Sequence, residues 1–359
     1  ASSVLYPLLL APFPGTTLQW LLPAFWNTLA VGAAGALWGW TVARLARPAA
    51  LALAVLGPPL LYISGLGFIG MEHGLHLVAS MLTIIGLWHW LERRRLAWWF
   101  VLAVVIAPLI RFEALALSLL SAGAVALTGR PKAGVLLGLG AVIPVGLFAL
   151  FLTAQGLPPV PNSLRVKIND VSEDAGLLGR VASTLAFNTR HLYGAGLLFL
   201  AVLTGLAAAL GRGSGRARLL LGTAAAGLLA HILLGHVGWL NRYETYAVVT
   251  LAVAVVLGWD AARGRHGGLL GGLTAVGLML APGVAITLPS TLASYVYNPR
   301  AIHLQQGQMA RLSHDFLPVP VAVNDLGRVA WNAPAHVLDL WGLASVRALR
   351  LRLDPGSPP

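Results

Sequence analysis

Cysteine is absent from the 359 residues, which excludes a disulfide framework and any thiolate-ligated metal or redox centre. Charge is sparse as well. Asp, Glu, Lys and Arg make up 10% of the chain, against roughly 25% in a soluble domain, too little to cover the surface of a water-soluble globule. Acids are scarcer than bases, 12 against 24. The resulting formal charge of +12 could suggest nucleic acid, but the placement of the charges along the chain argues against that partner. Long polar runs are missing until Gly156.

What fills the chain instead is apolar: 57% hydrophobic residues, with 41 Gly and 22 Pro. A helix that crosses the bilayer core needs about 20 apolar residues, fewer where it is broken inside protein. Ten stretches qualify, near 22–43, 49–66, 74–91, 97–110, 112–128, 133–154, 192–211, 218–236, 244–260 and 268–288. The fourth and fifth are short and could form one kinked element, and 1–16 is a partial segment interrupted by proline. The expected fold is therefore an all-α polytopic membrane protein of about ten transmembrane helices, occupying 1–289. A small α/β segment over 290–359 follows. There, 317–323 and 335–340 read as short strands around the turn Asn324-Asp325-Leu326-Gly327.

The charges alternate from loop to loop. Arg44 and Arg47, then Arg93 to Arg95, then Arg130 and Lys132, then Arg212, Arg216 and Arg218, then Arg263 and Arg265 occupy every second connection. That is twelve of the 24 cations in five short loops, which the positive-inside rule makes cytoplasmic. Of the twelve acids, only Glu92 and Asp260 fall on that side. The basic excess is thus a topology signal. With ten spans, 155–191 and the tail from 290 onward face outside.

The stretch Gly156 to Asp170 organises the chain. Pro158, Pro159 and Pro161 forbid a continuing helix, Asn162 or Ser163 can cap a new one, and Arg165 and Lys167 set two cations beyond the cap. Either an amphipathic connector or a loop facing an active site fits these residue types. Three further places on the same side carry ionisable groups at helix ends, where burial in a membrane is costly and such groups are paired or functional. In Met71-Glu72-His73-Gly74-Leu75-His76, Glu72 and His76 share a helical face beside His73. They could act as acid and base, or as ligands to a divalent metal. Otherwise they cap a helix start. Arg111-Phe112-Glu113 interrupts an apolar run. Arg111 could grip a phosphate as a planar fork, or the pair could stabilise a kink. Arg242-Tyr243-Glu244, with Trp239, either belongs to the site or forms an interfacial belt. Arg190 and His191 are possible helpers. His231 and His236 stand roughly 140° apart on a helix and read as core histidines.

Cations, carboxylates and lipid on one face suit a substrate with a phosphate at the interface and a polar head outside, such as a polyprenyl-phosphate sugar. Cations would stabilise the leaving phosphate, and a carboxylate would deprotonate the acceptor hydroxyl. Secondary transporters tend instead to show repeats and midplane sites, and neither is evident here. A transporter or flippase, and a non-catalytic membrane subunit, remain the alternatives.

Along its whole length the chain resembles the polytopic GT-C glycosyltransferases that use lipid-phosphate sugars, nearest to bacterial arabinofuranosyl- and mannosyltransferase-like proteins. Ser2-Ser3-Val4-Leu5-Tyr6 is similar to a Ser-Pro-Leu-Tyr/Trp phrase, with Val4 for the proline. Ser64-Gly65 through Glu72 is similar to a Gly-rich turn leading to a loop Glu. Arg111-Phe112-Glu113 resembles Arg-Pro-Glu, and Pro161-Asn162-Ser163 with Lys167 resembles Pro-Asn-Ser/Thr-x-x-x-Lys. Arg242-Tyr243 matches an Arg-Tyr phrase of a late helix. Asp325-Leu326-Gly327 and Asp339-Leu340-Trp341-Gly342-Leu343 resemble Asp-x-Gly and Asp-x-x-Gly-Leu of an exterior tail.

The resemblance implies inverting sugar transfer from a polyprenyl-phosphate donor to a cell-envelope glycan, lipid or protein acceptor, on the outer face of a bacterial inner membrane. It implies that Arg111, Asn162, Arg165, Lys167 and Arg242 bind substrate, with Glu72, Glu113 and Glu244 as supporting carboxylates. In such enzymes the catalytic Asp lies in a loop before the Ser-Ser-Val-Leu phrase. The expectation is therefore a chain truncated at both ends, with its general base before Ala1.

Overall fold

The computed structural model describes residues 3–164, 176–211, 213–238, 241–262, 288–331 and 333–353. The fold is helical. In chain order the helices are α1 (Tyr6–Leu10), α2 (Thr17–Val42), α3 (Arg47–Leu60), α4 (His73–Arg93), α5 (Trp98–Ile110), α6 (Ala114–Leu127), α7 (Pro131–Ala154), α8 (Leu177–Thr189), α9 (Leu192–Leu210), α10 (Gly215–Leu234), α11 (Thr245–Ala262) and α12 (Leu288–Ile302). Five of them, α2, α4, α7, α9 and α10, are long and apolar enough to cross a membrane. Helices α3, α5 and α6 are shorter, as is α11 counted to Trp259. The tenth expected span, 268–288, lies almost wholly outside the described residues, as do Arg263 and Arg265.

The shorter elements have local causes. The apolar run expected as one span over 49–66 ends as a helix at Leu60, after Pro58 and Pro59. Tyr62 then turns into the left-handed region (φ 61°) and a 3₁₀ turn covers Ser64–Phe68. Two consecutive prolines remove two donors from the helical ladder, so the chain leaves the helix there. Helices α5 and α6 are separate, divided at Arg111, whose extended backbone (φ −150°, ψ 132°) stops α5. At 13 and 14 residues each is roughly 20 Å long.

Helix α4 is the centre of the bundle. It packs against α2, α5, α6 and α11, and most of its side chains are buried. Two glycines permit close approach nearby. A β-carbon on Gly86 would stand 2.4 Å from the ring of Phe100, and one on Gly57 2.3 Å from Trp38. The Trp38 indole donates to the Leu53 carbonyl at 2.7 Å, locking α2 to α3. By contrast α7 shows Leu136, Ile143, Leu147, Leu150 and Phe151 to its surroundings, an apolar exterior that lipid would cover.

The chain turns back and forth so that like helix ends gather. At one end Arg94, in the left-handed conformation that terminates α4, donates to the Thr128 carbonyl beyond α6 at 2.7 Å. The Trp90 indole donates to Thr128 Oγ1 at 2.8 Å. Arg44 donates to the Trp40 carbonyl, and Arg218 to the Ala208 and Ala209 carbonyls at the end of α9. These cations satisfy helix C-terminal carbonyls, the side of the helix dipole that favours positive charge. The start of α4, the α5–α6 break and the start of α11 meet at the opposite end.

After α12 the helical path continues through wide turns over His303–Gly307 and Leu312–Phe316. Two three-residue strands follow, β1 (Val321–Val323) and β2 (Val337–Asp339), paired in parallel with Val321 opposite Val337. Helix α13 (Gly327–Ala330) lies between them in sequence, and α14 (Val346–Leu353) follows. Both strands fall inside the expected stretches but are shorter, because Pro318 and Pro320 cannot donate to a ladder. The tail touches the first turn of α2. Trp331 packs on Trp20 with ring centres 4.9 Å apart, and the Arg328 guanidinium lies 4.5 Å from the Trp20 ring.

Candidate functional site

Helix α5 must end where Arg111 becomes extended, which leaves carbonyls of its last turn without intrahelical partners. The N-terminal segment takes one of them up. The backbone N–H groups of Val4 and Leu5 donate to the Leu109 carbonyl at 2.8 and 3.1 Å. This docks Ser3-Val4-Leu5 against the α5–α6 break and brings Tyr6 over the start of α4. The Tyr6 hydroxyl donates to the Gly70 carbonyl at 3.0 Å and lies 3.5 Å from Asn27 Nδ2 of α2. Burial, then the Glu72 carboxylate, pushes the Tyr6 phenol up to about 12.

Arg111 is the hub. It is 1% exposed, and its Nη1 donates to Glu72 Oε1 at 2.6 Å while Nη2 donates to Glu113 Oε1 at 2.6 Å. Nη1 also stands 3.0 Å from His73 Nε2. Burial works against the guanidinium charge, but the carboxylates of Glu113 and Glu72 outweigh it and raise its pKa. The aromatic layer from α11 closes over it: Tyr243 lies 5.5 Å from the guanidinium and 5.7 Å from the His73 ring, and Tyr246 packs on His76 at 4.1 Å. The Tyr246 hydroxyl donates to the Glu113 carbonyl at 3.2 Å and lies 3.3 Å from His231 Nδ1.

Asn188, at the end of α8, fixes the end of α10. Its amide donates to the Ile232 and Gly235 carbonyls at 2.7 and 2.9 Å and accepts from the Val237 N–H at 3.0 Å. His231 is thereby held against α11. It is a buried histidine, as its spacing suggests, yet it belongs to the polar cluster.

Of the residues singled out in the sequence, Glu72, His73, Arg111 and Glu113 are in direct contact. Arg242 adjoins them through its neighbour: its Nη2 donates to the Tyr243 hydroxyl at 3.2 Å, and its guanidinium lies 5.1 Å from that ring. Glu244 is buried but stands apart. Its Oε2 accepts from the Gly238 N–H at 3.0 Å, and among the described residues no ion pair joins it to Arg111 or Arg242. Burial pushes its carboxyl up to about 7, against the lowering effect of the Gly238 N–H and other hydrogen bonds. Asn162 is buried, with no hydrogen-bond partner for Oδ1 among the described residues. Arg190 and His191 contact each other at the end of α8, Arg190 Nε lying 3.1 Å from His191 Nε2. Arg165 and Lys167 lie outside the described residues.

Two expectations change. Among the described residues no three His, Asp or Glu side chains, Glu72, His73 and His76 included, are grouped to hold an ion. The Arg111 guanidinium already stands between the Glu72 carboxylate and His73. Arg111 itself is no open phosphate fork, since both terminal nitrogens are engaged and the side chain is sealed from solvent. Its immediate work is to hold two carboxylates in position. Tyr6, Asn27 and Tyr246 were not singled out from sequence. A lone Asn in the apolar α2 is the one available signal.

Residues 297–355 match a family described as a domain of unknown function, DUF8728. No curated protein and no solved structure matches the chain.

Proposed function

We propose that this chain is a polytopic glycosyltransferase of the GT-C type, moving a sugar from a polyprenyl-phosphate donor to an envelope glycan, lipid or protein acceptor. The observation that carries the reading is the buried Arg111 with Glu72 and Glu113 at a helix break, at the bundle end opposite the basic loops. We assign that end to the outer face of a bacterial inner membrane and count ten spans, the positive-inside rule setting the basic end in the cytoplasm. Arg111 positions the two carboxylates. Glu113, whose side chain is 12% exposed, is the one of the pair nearer to an acceptor hydroxyl. Arg242, with Arg165 and Lys167, would meet the phosphate, where negative charge develops as the sugar leaves. Asn162 would orient the donor.

Membranes carrying the natural protein are expected to transfer labelled sugar from a polyprenyl-phosphate donor. Arg111→Met and Glu113→Gln should lower that rate by about 10²–10⁴-fold, the usual scale for a lost acid–base group. Uptake of intact donor by sealed vesicles, with no transfer, would replace the enzyme reading by transport. Sidedness has its own test, since a chain without cysteine accepts single reporters cleanly. Phe316→Cys should react with an impermeant thiol reagent on intact cells, and Arg94→Cys only after the membrane is opened. The reverse pattern would invert the topology.

A further inference from the structure

The tail carries a surface that the transfer chemistry leaves unused. Helix α14 is capped by Ser345, whose Oγ accepts from the Ala348 N–H at 3.1 Å, and it buries Leu349. Gly342 (φ 84°) lets the preceding turn press on it, for a β-carbon there would lie 2.7 Å from Leu349 Cα. The turn and the helix thus form one surface. Arg347, Arg350 and Leu351 fall within an arc of roughly 100° on α14, opposite Leu349. All three are exposed, Leu351 at 53%. Beside them Trp341 is 45% exposed, with the Arg352 guanidinium 3.8 Å from its ring and Arg352 Nη1 donating to its carbonyl at 3.1 Å. Leu340 and Leu343 are exposed as well.

Among the described residues no ion pair joins Arg347 or Arg350 to an acid. Asp339 is buried, accepting from the Trp341 and Ala344 N–H groups. Asp354 lies outside the described residues. Exposed leucines and a tryptophan interleaved with arginines are the composition of a surface that rests in lipid headgroups, the aliphatic and indole groups inserted and the guanidiniums on phosphates. The Trp20–Trp331 contact ties the tail to the first turn of α2, at the edge of the helical bundle.

We propose that Leu340, Trp341, Leu343, Arg347, Arg350 and Leu351 dock the tail onto anionic phospholipid headgroups at the membrane surface beside the bundle. The proposal rests on the bundle being membrane-embedded and is independent of the sugar-transfer reading. Failure of the chain to float with vesicles would overturn both the embedding and the docking. The test places a nitroxide at Leu351→Cys in the full chain, reconstituted in phosphatidylcholine vesicles with or without phosphatidylglycerol. Phe316→Cys, outside the patch, serves as reference. The Leu351 label is expected to be shielded from a water-borne nickel chelate in the anionic vesicles and to regain exposure at high salt. Arg347→Gln and Arg350→Gln should each reduce the docked-to-free ratio by about fivefold. Equal exposure in the two lipids would overturn the proposal. So would shielding that survives both substitutions, which points to a protein or glycan partner, or equal shielding at Phe316.

Discussion

Arginine does two different jobs at the two ends of this bundle. At the basic end Arg44, Arg94 and Arg218 reach backbone carbonyls, and Arg44 also stacks on Trp40 at 3.7 Å. They remain near solvent and cap helix C-termini. At the other end Arg111 is sealed in and bound to two carboxylates. An exposed cation can be lost with little consequence, because water replaces its contacts. A buried one cannot, because removing it takes from Glu72 and Glu113 the guanidinium that both of them bind. The pair teaches that in a membrane protein the count of charges says less than the depth at which each one sits.

The largest expected effect tests that contrast directly. Arg111→Met should destabilise the folded protein by about 3–5 kcal/mol, the range for breaking a buried ion pair from one side, as read by thermal unfolding in detergent. Recovery of most of that loss on adding Glu72→Gln and Glu113→Gln would show that the charges of the two carboxylates cause it. A triple variant as unstable as the single one would place the defect in packing instead.

An intermediate effect concerns Glu244, the buried carboxyl that stands outside the Arg111 cluster. Its folded-state pKa, pushed up to about 7, lies above its ordinary value of 4.5. Its protonated form therefore favours the folded state. That stability is fully present below the ordinary value and is lost as the pH rises through about 7. The unfolding midpoint should fall across this window, and Glu244→Gln should flatten the slope. An unchanged slope would assign the pH dependence to other groups.

The smallest effect belongs to the basic end. Arg94→Gln should cost less than about 1 kcal/mol, the scale of exposed charge contacts, in the same unfolding measurement. A loss comparable to that of Arg111→Met would erase the distinction between the two ends.

Helix α4, the α5–α6 break and the two short strands were legible in the residues. Apolar runs bounded by arginines and prolines mark helix ends locally, and a charge inside an apolar run has few ways to be satisfied. The Arg111-Phe112-Glu113 interruption therefore announced a break, and left open whether Arg111 gripped a phosphate or paired to stabilise a kink. Glu72 as the partner could be suspected only through the shared side of the membrane, since 39 positions separate it from Arg111. The role of Tyr246 was hidden for the same reason. Its hydroxyl meets a carbonyl 133 residues away, and no local pattern encodes such an approach.

By itself, then, the amino-acid sequence determined that the chain is helical and apolar, that Arg111 interrupts an apolar run, and how its charges alternate from loop to loop. These follow from hydrophobic period, proline geometry and the cost of charge in lipid, all of which act over a few residues. Only the tertiary structure decided that Arg111 binds two carboxylates while sealed from solvent, that its guanidinium stands between Glu72 and His73, and that His231 and Tyr246 join the cluster. Those outcomes depend on which helix faces which. That is set by the packing of many side chains at once, such as Gly86 against Phe100 and Gly57 against Trp38.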